Sequence, residues 1–375
     1  MNRLKPTECE FCGRISYLIS ESLAVCLGCI RSQPENIESF IEECHKKTRL
    51  EFGLPERPPY EKDGVKCDNC VNECSIAEDQ RGYCGLKESK GGRLHHVAGT
   101  KQAGLVSWYF DPLPTNCVAD WVCPGGSGCG YPKYSYTPGP ETGYYNLAVF
   151  YEACTFNCLF CQNWHFRKRF RSGDTKSAVE LAASVEDSTA CICYFGGDPT
   201  PQLSHAVAAS KMAIDNARGN ILRICWETNG SMNRSLLETM ARLSMESGGC
   251  IKFDIKAYDE NLNKALCGVS NKNTLENFRW LASLIKQRPD PPLLVASTLL
   301  VPGYIDSEEI SRIAGYISDC DPDIPYSLLA FYPCFKMNDL PQTSAKHAKE
   351  ALEAAKSAGL NRVKIANLHL LSNDY

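Results

Sequence analysis

Ala153-Cys154-Thr155-Phe156-Asn157-Cys158-Leu159-Phe160-Cys161-Gln162-Asn163-Trp164 decides how this chain is read. Its C-x3-C-x2-C spacing offers three thiolates and no fourth. A structural zinc takes four protein ligands. A cubane iron–sulfur cluster held by three cysteines leaves one iron open to a substrate or cofactor. The competing reading is a zinc knuckle completed by a distant fourth ligand. The run follows Tyr145–Ala153, an apolar stretch of strand length, so it sits at a strand's carboxyl end.

From Tyr145 onward, strand-like runs alternate with amphipathic stretches. The strands are expected at Tyr145–Ala153, Cys191–Phe195, Ile221–Trp226, Cys250–Ile255, Leu293–Leu300, Tyr326–Tyr332 and Arg362–Ala366. Helical patterns fall at Thr175–Val185, Pro201–Ala217, Arg234–Glu246, Thr274–Lys286, Ser307–Ile317 and Ser344–Ala358. Such alternation implies βα units around a parallel sheet. The fold class is therefore α/β: a partial (β/α)6 TIM-like barrel preceded by small cysteine-rich metal-binding modules. Sites in such barrels lie at the carboxyl ends of the strands.

Composition narrows the function. The 375 residues carry a formal charge of −4, which gives no general basic surface for nucleic acid. No apolar run approaches the length of a membrane span, and the first residues lack the apolar core of a signal peptide. The 22 cysteines, many in C-x2-C pairs, then favour reduced thiolates on metals and a cytoplasmic location over a disulfide framework.

The cysteines fall into groups. Cys9, Cys12, Cys26 and Cys29 form two knuckles separated by 13 residues, the pattern of a zinc ribbon. Cys44 and His45 lie on a helix expected over Asn36–Thr48 and read as bystanders. Cys67, Cys70, Cys74 and Cys84 suit zinc, a single iron or an auxiliary cluster equally on spacing. Cys117, Cys123 and Cys129 match no common metal site; they suggest a substrate-entrance loop or part of an additional cluster. Later cysteines, Cys191, Cys193, Cys225 and Cys250 among them, read as buried thiols in apolar strands. Three segments are expected: a zinc-ribbon-like module (1–52), a cysteine-rich metal-binding or partner-recognition region (64–144) and the barrel (145–375).

The motifs from about residue 65 onward resemble the radical S-adenosylmethionine (SAM) superfamily, in its pyruvate formate-lyase activating enzyme-like branch with a cysteine-rich N-terminal region. Five stretches carry the likeness: the Cys154–Trp164 run; Phe195-Gly196-Gly197-Asp198-Pro199-Thr200-Pro201; Glu227-Thr228-Asn229-Gly230; Lys252-Phe253-Asp254-Ile255-Lys256; and Val301-Pro302-Gly303-Tyr304 with the later Phe331-Tyr332-Pro333 and Lys336-Met337. The resemblance implies a [4Fe–4S] cluster on Cys154, Cys158 and Cys161, with SAM chelated by the open iron. Phe160 would lie beside adenine. Gly196 and Gly197 would let main-chain carbonyls meet the SAM ammonium, with Asp198 in place of the family's Glu. Glu227, Thr228, Asn229 and Asp254 would help place the ligand, and Lys256 would pair with its carboxylate. A mutual ion pair at the barrel rim is the competing reading for Lys252, Asp254 and Lys256.

The function so implied is an oxidoreductase-type radical SAM enzyme. It would reductively cleave SAM and abstract hydrogen from a substrate, a polypeptide by branch resemblance, as in glycyl-radical activation or another protein modification. Ferredoxin or flavodoxin would be the reductant. A methylase or small-molecule-modifying enzyme, and a non-catalytic zinc or iron–sulfur adaptor, are the alternatives. Nucleic acid and membrane are not expected partners.

Overall fold

Successive side chains on a strand face opposite ways, and the parallel strands here use that to sort two kinds of residue. Along Thr189–Gly196, Ile192 and Tyr194 pack into the main apolar core while Cys191 and Cys193 turn to the other face. The same holds for Ile224 and Trp226 against Cys225 and Glu227. Tyr194 stacks on Trp226 at 4.6 Å between ring centroids, fixing the outer layer.

The computed structural model describes residues 5–169 and 174–375. One eight-stranded sheet organises it: β1 (Val106–Pro112), β2 (Tyr145–Tyr151), β3 (Thr189–Gly196), β4 (Arg223–Thr228), β5 (Ile251–Asp254), β6 (Leu294–Leu300), β7 (Tyr326–Ala330) and β8 (Val363–Ala366). Strands pair in that order; β1 is antiparallel to β2 and every later pair is parallel. Parallel neighbours need crossovers. Helices α1 (Ala178–Ala183), α2 (Leu203–Asn216), α3 (Arg234–Ser247), α4 (Glu260–Cys267), α5 (Lys272–Ala282), α6 (Ser307–Cys320) and α7 (Ala345–Ser357) supply them.

Their starts are written in the sequence. Ser177 and Glu180 form a capping box on α1. The side chains of Asn233, Asp259, Asp306 and Ser344 accept from the first turns of α3, α4, α6 and α7. Each satisfies a backbone donor that a helix start leaves open.

The α/β fold expected from the sequence is present, with two additions. Val106–Pro112 joins the sheet as β1, inside the 64–144 stretch, and α4 precedes the helix expected near Thr274. Its seven residues are partly solvent-facing and β1 pairs only with β2, so its apolar signal is weak.

β1 and β8 are not paired, so the barrel is open. The segment after β1 folds beneath it. Trp121 Nε1 donates to Ser327 Oγ on β7 (3.1 Å), and Asp120 Oδ1 meets Lys364 Nζ on β8 (3.3 Å). Arg223 on β4 forms a two-pronged, fully buried ion pair with Glu141. One loop reaching β4, β7 and β8 requires the sheet to curl around it.

The N-terminal segment docks on the opposite side of the barrel entrance. Its long helix, expected at Asn36–Thr48, runs Pro34–Leu50. Tyr304 Oη accepts from Ser20 N–H and donates to Val25 O, both at 3.1 Å. Arg31 holds Asp306 with two 2.9 Å contacts.

The buried Arg223–Glu141 pair generates a prediction. Arg223→Ala leaves the Glu141 carboxylate buried without its partner, a loss of about 3–5 kcal/mol. Urea denaturation should show it. A loss below about 1 kcal/mol would mean the pair does not hold the loop against the sheet.

Candidate functional site

β2 ends at Tyr151, and Cys154 follows three residues later, as the sequence placed it. The loop is pinned from several sides. Asn157 N–H donates to Cys267 O (2.8 Å), Leu159 N–H to Leu266 O (2.9 Å), and Lys336 N–H to Leu159 O (2.9 Å). Asn157 also anchors a buried chain: Arg167 donates to its Oδ1, and its Nδ2 donates to His45 Nδ1 (2.9 Å). His45 Nε2 completes the chain against Ala265 O at 3.0 Å. These partners define the neutral Nε2–H tautomer of His45. His45, read from sequence as a bystander, therefore props the cysteine loop. No local signal marks it, because its partners lie more than a hundred residues away.

The glycine turn after β3 comes next. A Cβ on Gly197 would stand 2.1 Å from Ala153 O, so only glycine lets β3 end against the segment leading to Cys154. Gly196 has φ +117°, and a Cβ there would stand 2.5 Å from the Tyr151 backbone. Asp198 is buried and internally engaged. Its Oδ2 accepts from Thr228 Oγ1 (2.9 Å) and Asn229 N–H (2.8 Å), and its Oδ1 from Thr200 N–H (2.8 Å). It ties the ends of β3 and β4 together; burial raises its pKa.

Asn229 reaches the cysteine loop: its Nδ2 donates to Thr155 Oγ1 (2.8 Å) and lies 3.8 Å from Cys154 Sγ. Beyond β5, Lys256 Nζ sits 5.6 Å from the Phe160 ring centroid and pairs with Asp254 Oδ2. The other oxygen, Asp254 Oδ1, is buried without a hydrogen-bond partner among the described residues. Burial works against the Lys256 charge, but Asp254 and then Cys158 outweigh it and raise its pKa. Glu227 goes elsewhere. Its Oε1 meets Lys252 Nζ at 2.6 Å lower in the barrel, facing Cys117 and Cys193. Burial opposes its ionisation, but Lys252 prevails and the pKa is lowered.

The donor set fits a three-cysteine cluster with SAM. Cys154, Cys158 and Cys161 are not gathered within 4.8 Å as a single-ion site would be, and three cysteines are the complement that leaves one iron of a cubane open. Burial raises the pKa of Cys154, and that of Cys161 to about 11. A metal replacing the proton removes that penalty. Cys158 is lowered first by its hydrogen bond with Cys267, whose Sγ is 3.4 Å away. The unpartnered Asp254 oxygen and the Lys256 ammonium offer one acceptor and one cation to a zwitterionic amino acid.

The N-terminal thiols differ in spacing. Cys9, Cys12, Cys26 and Cys29 are all within 4.8 Å of one another, with Cys9–Cys29 at 3.8 Å and Cys12–Cys26 at 3.7 Å. Cys67 faces Cys74 across a small hairpin, and Cys84 lines a gap of about 10 Å³ shared with Cys154, Arg49 and Tyr83. A hollow of about 640 Å³ lies by the N-terminal helix and is lined by five glutamates and, among the described residues, no cysteine.

Comparison with known proteins gives these geometries a setting. Residues 148–314 match the radical SAM superfamily. Over 320 residues the chain is 26% identical to the uncharacterized protein MJ0808 of Methanocaldococcus jannaschii, covering 82% of this chain and 84% of that one. Over 170 residues it is 32% identical to the isethionate sulfite-lyase activating enzyme of Desulfovibrio desulfuricans, 44% of this chain and 50% of that enzyme. It spans about half the length of that activating enzyme. SuiB of Streptococcus suis, solved with SAM, aligns over 58% of this chain and 49% of its own at 12% identity and a TM-score of 0.44.

The His45 chain yields a pH prediction. Burial lowers the His45 pKa to about 4, against an ordinary 6.5. Its contribution to stability is complete above about pH 6.5 and is lost as pH falls through the window toward 4, about 3 kcal/mol in all. Denaturation at stepped pH should show this decline, and His45→Gln should flatten it. An equal decline in His45→Gln assigns the effect to other groups.

Proposed function

This chain is a radical SAM enzyme, and from that premise we propose that it modifies a polypeptide, activating a glycyl-radical enzyme or installing another carbon-centred change. The observation that carries the reading is the meeting of three thiols with the Asp254–Lys256 pair at the carboxyl ends of β2–β5. In this reading Cys154, Cys158 and Cys161 hold a [4Fe–4S] cluster with one open iron. When bound, the cluster and SAM supply reductive cleavage of the sulfonium and abstraction of a substrate hydrogen. The cofactor contributes that chemistry, and the protein contributes placement and exclusion of water.

The chain's own groups divide the work. Lys256 pairs with the SAM carboxylate and Asp254 with its ammonium, exchanging their mutual contact for ligand contacts. Phe160 borders the adenine. Gly196, Gly197, Asp198, Thr228 and Asn229 set the rim that these groups share: Asp198 by tying two strand ends, Asn229 by bracing the loop beside Cys154. Glu227 belongs with Lys252 deeper in the barrel. Ferredoxin or flavodoxin supplies the electron. The polypeptide substrate is supported by the names of the activating-enzyme relatives.

We assign zinc to Cys9, Cys12, Cys26 and Cys29. Zinc–sulfur bonds of about 2.3 Å in a tetrahedron place sulfurs about 3.8 Å apart, and two pairs stand at 3.8 and 3.7 Å. Cys67, Cys70, Cys74 and Cys84 are the candidate ligands of a second metal, zinc or iron, although no three of these thiols lie within 4.8 Å of one another. The three-segment division, 1–52, 64–144 and 145–375, is retained with β1 lent to the sheet.

No helix among the described residues is long and apolar enough to cross a membrane.

Two experiments test this. Anaerobically reconstituted protein, reduced in the presence of SAM, should release 5′-deoxyadenosine, and Cys158→Ala should abolish release. Undiminished release from Cys158→Ala would sink the assignment. Comparing tryptic maps of the host proteome with and without the gene should reveal a mass shift on one peptide; a shift confined to small metabolites would replace the polypeptide reading. For the ribbon, metal analysis should show that Cys9→Ser with Cys29→Ser loses one zinc per chain. Zinc unchanged in that variant would place the metal elsewhere.

A further inference from the structure

Below the strand ends, the inward face of the sheet is lined with sulfur. A cavity of about 310 Å³ is bordered by Cys117, Cys123, Cys191, Cys193, Cys225 and Cys250. Six of its 19 lining residues are cysteine, against 22 of 375 in the chain. The enrichment exceeds what a cysteine-rich composition supplies.

Register produces it. Cys193 on β3 stands beside Cys225 on β4. Trp226 pairs with Ile251, so the preceding residues, Cys225 and Cys250, are neighbours too. Cys191 is two residues from Cys193 and shares its face. Cys117 and Cys123 arrive from the loop that closes this end of the barrel.

Three observations point to an occupant. All of these thiols are free of disulfides. Among the described residues, only the ribbon brings three or more ligand atoms within 4.8 Å of one another, so the barrel thiols are not gathered around a single ion. They ring a hollow, a lining that offers several thiolates to one occupant larger than a single ion. Thiolate-bound iron–sulfur clusters are that class. A buried ammonium also sits among them: Lys252 Nζ is 3.0 Å from both Cys117 Sγ and Cys193 Sγ, and 2.6 Å from Glu227 Oε1. Glu227 balances its charge, and the lysine's two further contacts are to thiol sulfurs, which as thiolates on a cluster would accept from it.

We propose that this cavity is a second iron–sulfur centre, held by Cys117, Cys123, Cys193 and Cys225, with Lys252 as the cationic neighbour of its sulfurs. Cys191 and Cys250 complete the wall. From Cys193 to Gly197 is four residues along β3, so the centre lies about 13 Å below the three-cysteine loop. Its ligands are independent of Cys154, Cys158 and Cys161, and its test does not require SAM cleavage.

The test is iron and acid-labile sulfide per chain, with electron paramagnetic resonance after reduction, on anaerobically reconstituted full-length protein. A chain with Cys154, Cys158 and Cys161 all changed to Ala should retain a reducible cluster. Adding Cys193→Ala with Cys225→Ala should remove about four irons and that signal, while Cys67→Ala with Cys70→Ala should leave the signal in place. Iron and spectrum unchanged by the barrel pair overturn the proposal. Because that pair also removes packing, Lys252→Met is the second arm. It keeps all six thiols and, in the three-alanine chain, should lower the reduction potential of the remaining cluster. An unaltered potential and spectrum likewise overturn the proposal.

Discussion

Alternation along the parallel strands is the constraint on which the rest depends. With a period of two, every strand must divide its residues between the helices outside and the barrel interior. The outward set is apolar: Leu147, Val149, Ile192, Tyr194, Ile224, Trp226, Ile251 and Phe253 are all fully buried. Hydrophobic burial there stabilises the sheet. That leaves the inward set available for chemistry. On β5 and its continuation it reads Cys250, Lys252, Asp254, Lys256, a ladder from thiol to ammonium to carboxylate to ammonium.

Charge inside a protein must be compensated, and the barrel does so level by level. Near the closed end Arg223 is matched by Glu141, a residue of the covering loop. In the middle Lys252 is matched by Glu227. At the open end Lys256 is matched by Asp254, whose second oxygen remains unpartnered. The lowest pair is sealed, so it fastens the loop. The highest is half open. The same interaction is thus sealed at one end of the barrel and accessible at the other.

The cysteine loop shows how distant parts share one task. Its backbone is held by Cys267 and Leu266 at the end of α4, and its Asn157 side chain by Arg167 and by His45 from the N-terminal helix. The docked N-terminal segment is therefore built into the support of the loop. A Cβ on Gly268 would strike the His45 ring at 2.9 Å, so that contact also needs a glycine at the end of α4.

Much was legible in the order of residues. The C-x3-C-x2-C spacing, the C-x2-C knuckles and the βα rhythm each depend on near neighbours, and local spacing is what a sequence records directly. These determined the α/β fold, the three-thiol loop at a strand end and the two-knuckle module. The pairing of Cys193 with Cys225, the descent of Glu227 away from Asn229, the internal engagement of Asp198 and the reach of His45 to Asn157 were decided only by the tertiary structure. Each joins residues far apart in the chain through strand register or helix docking, and a one-residue change of register would turn every inward thiol outward.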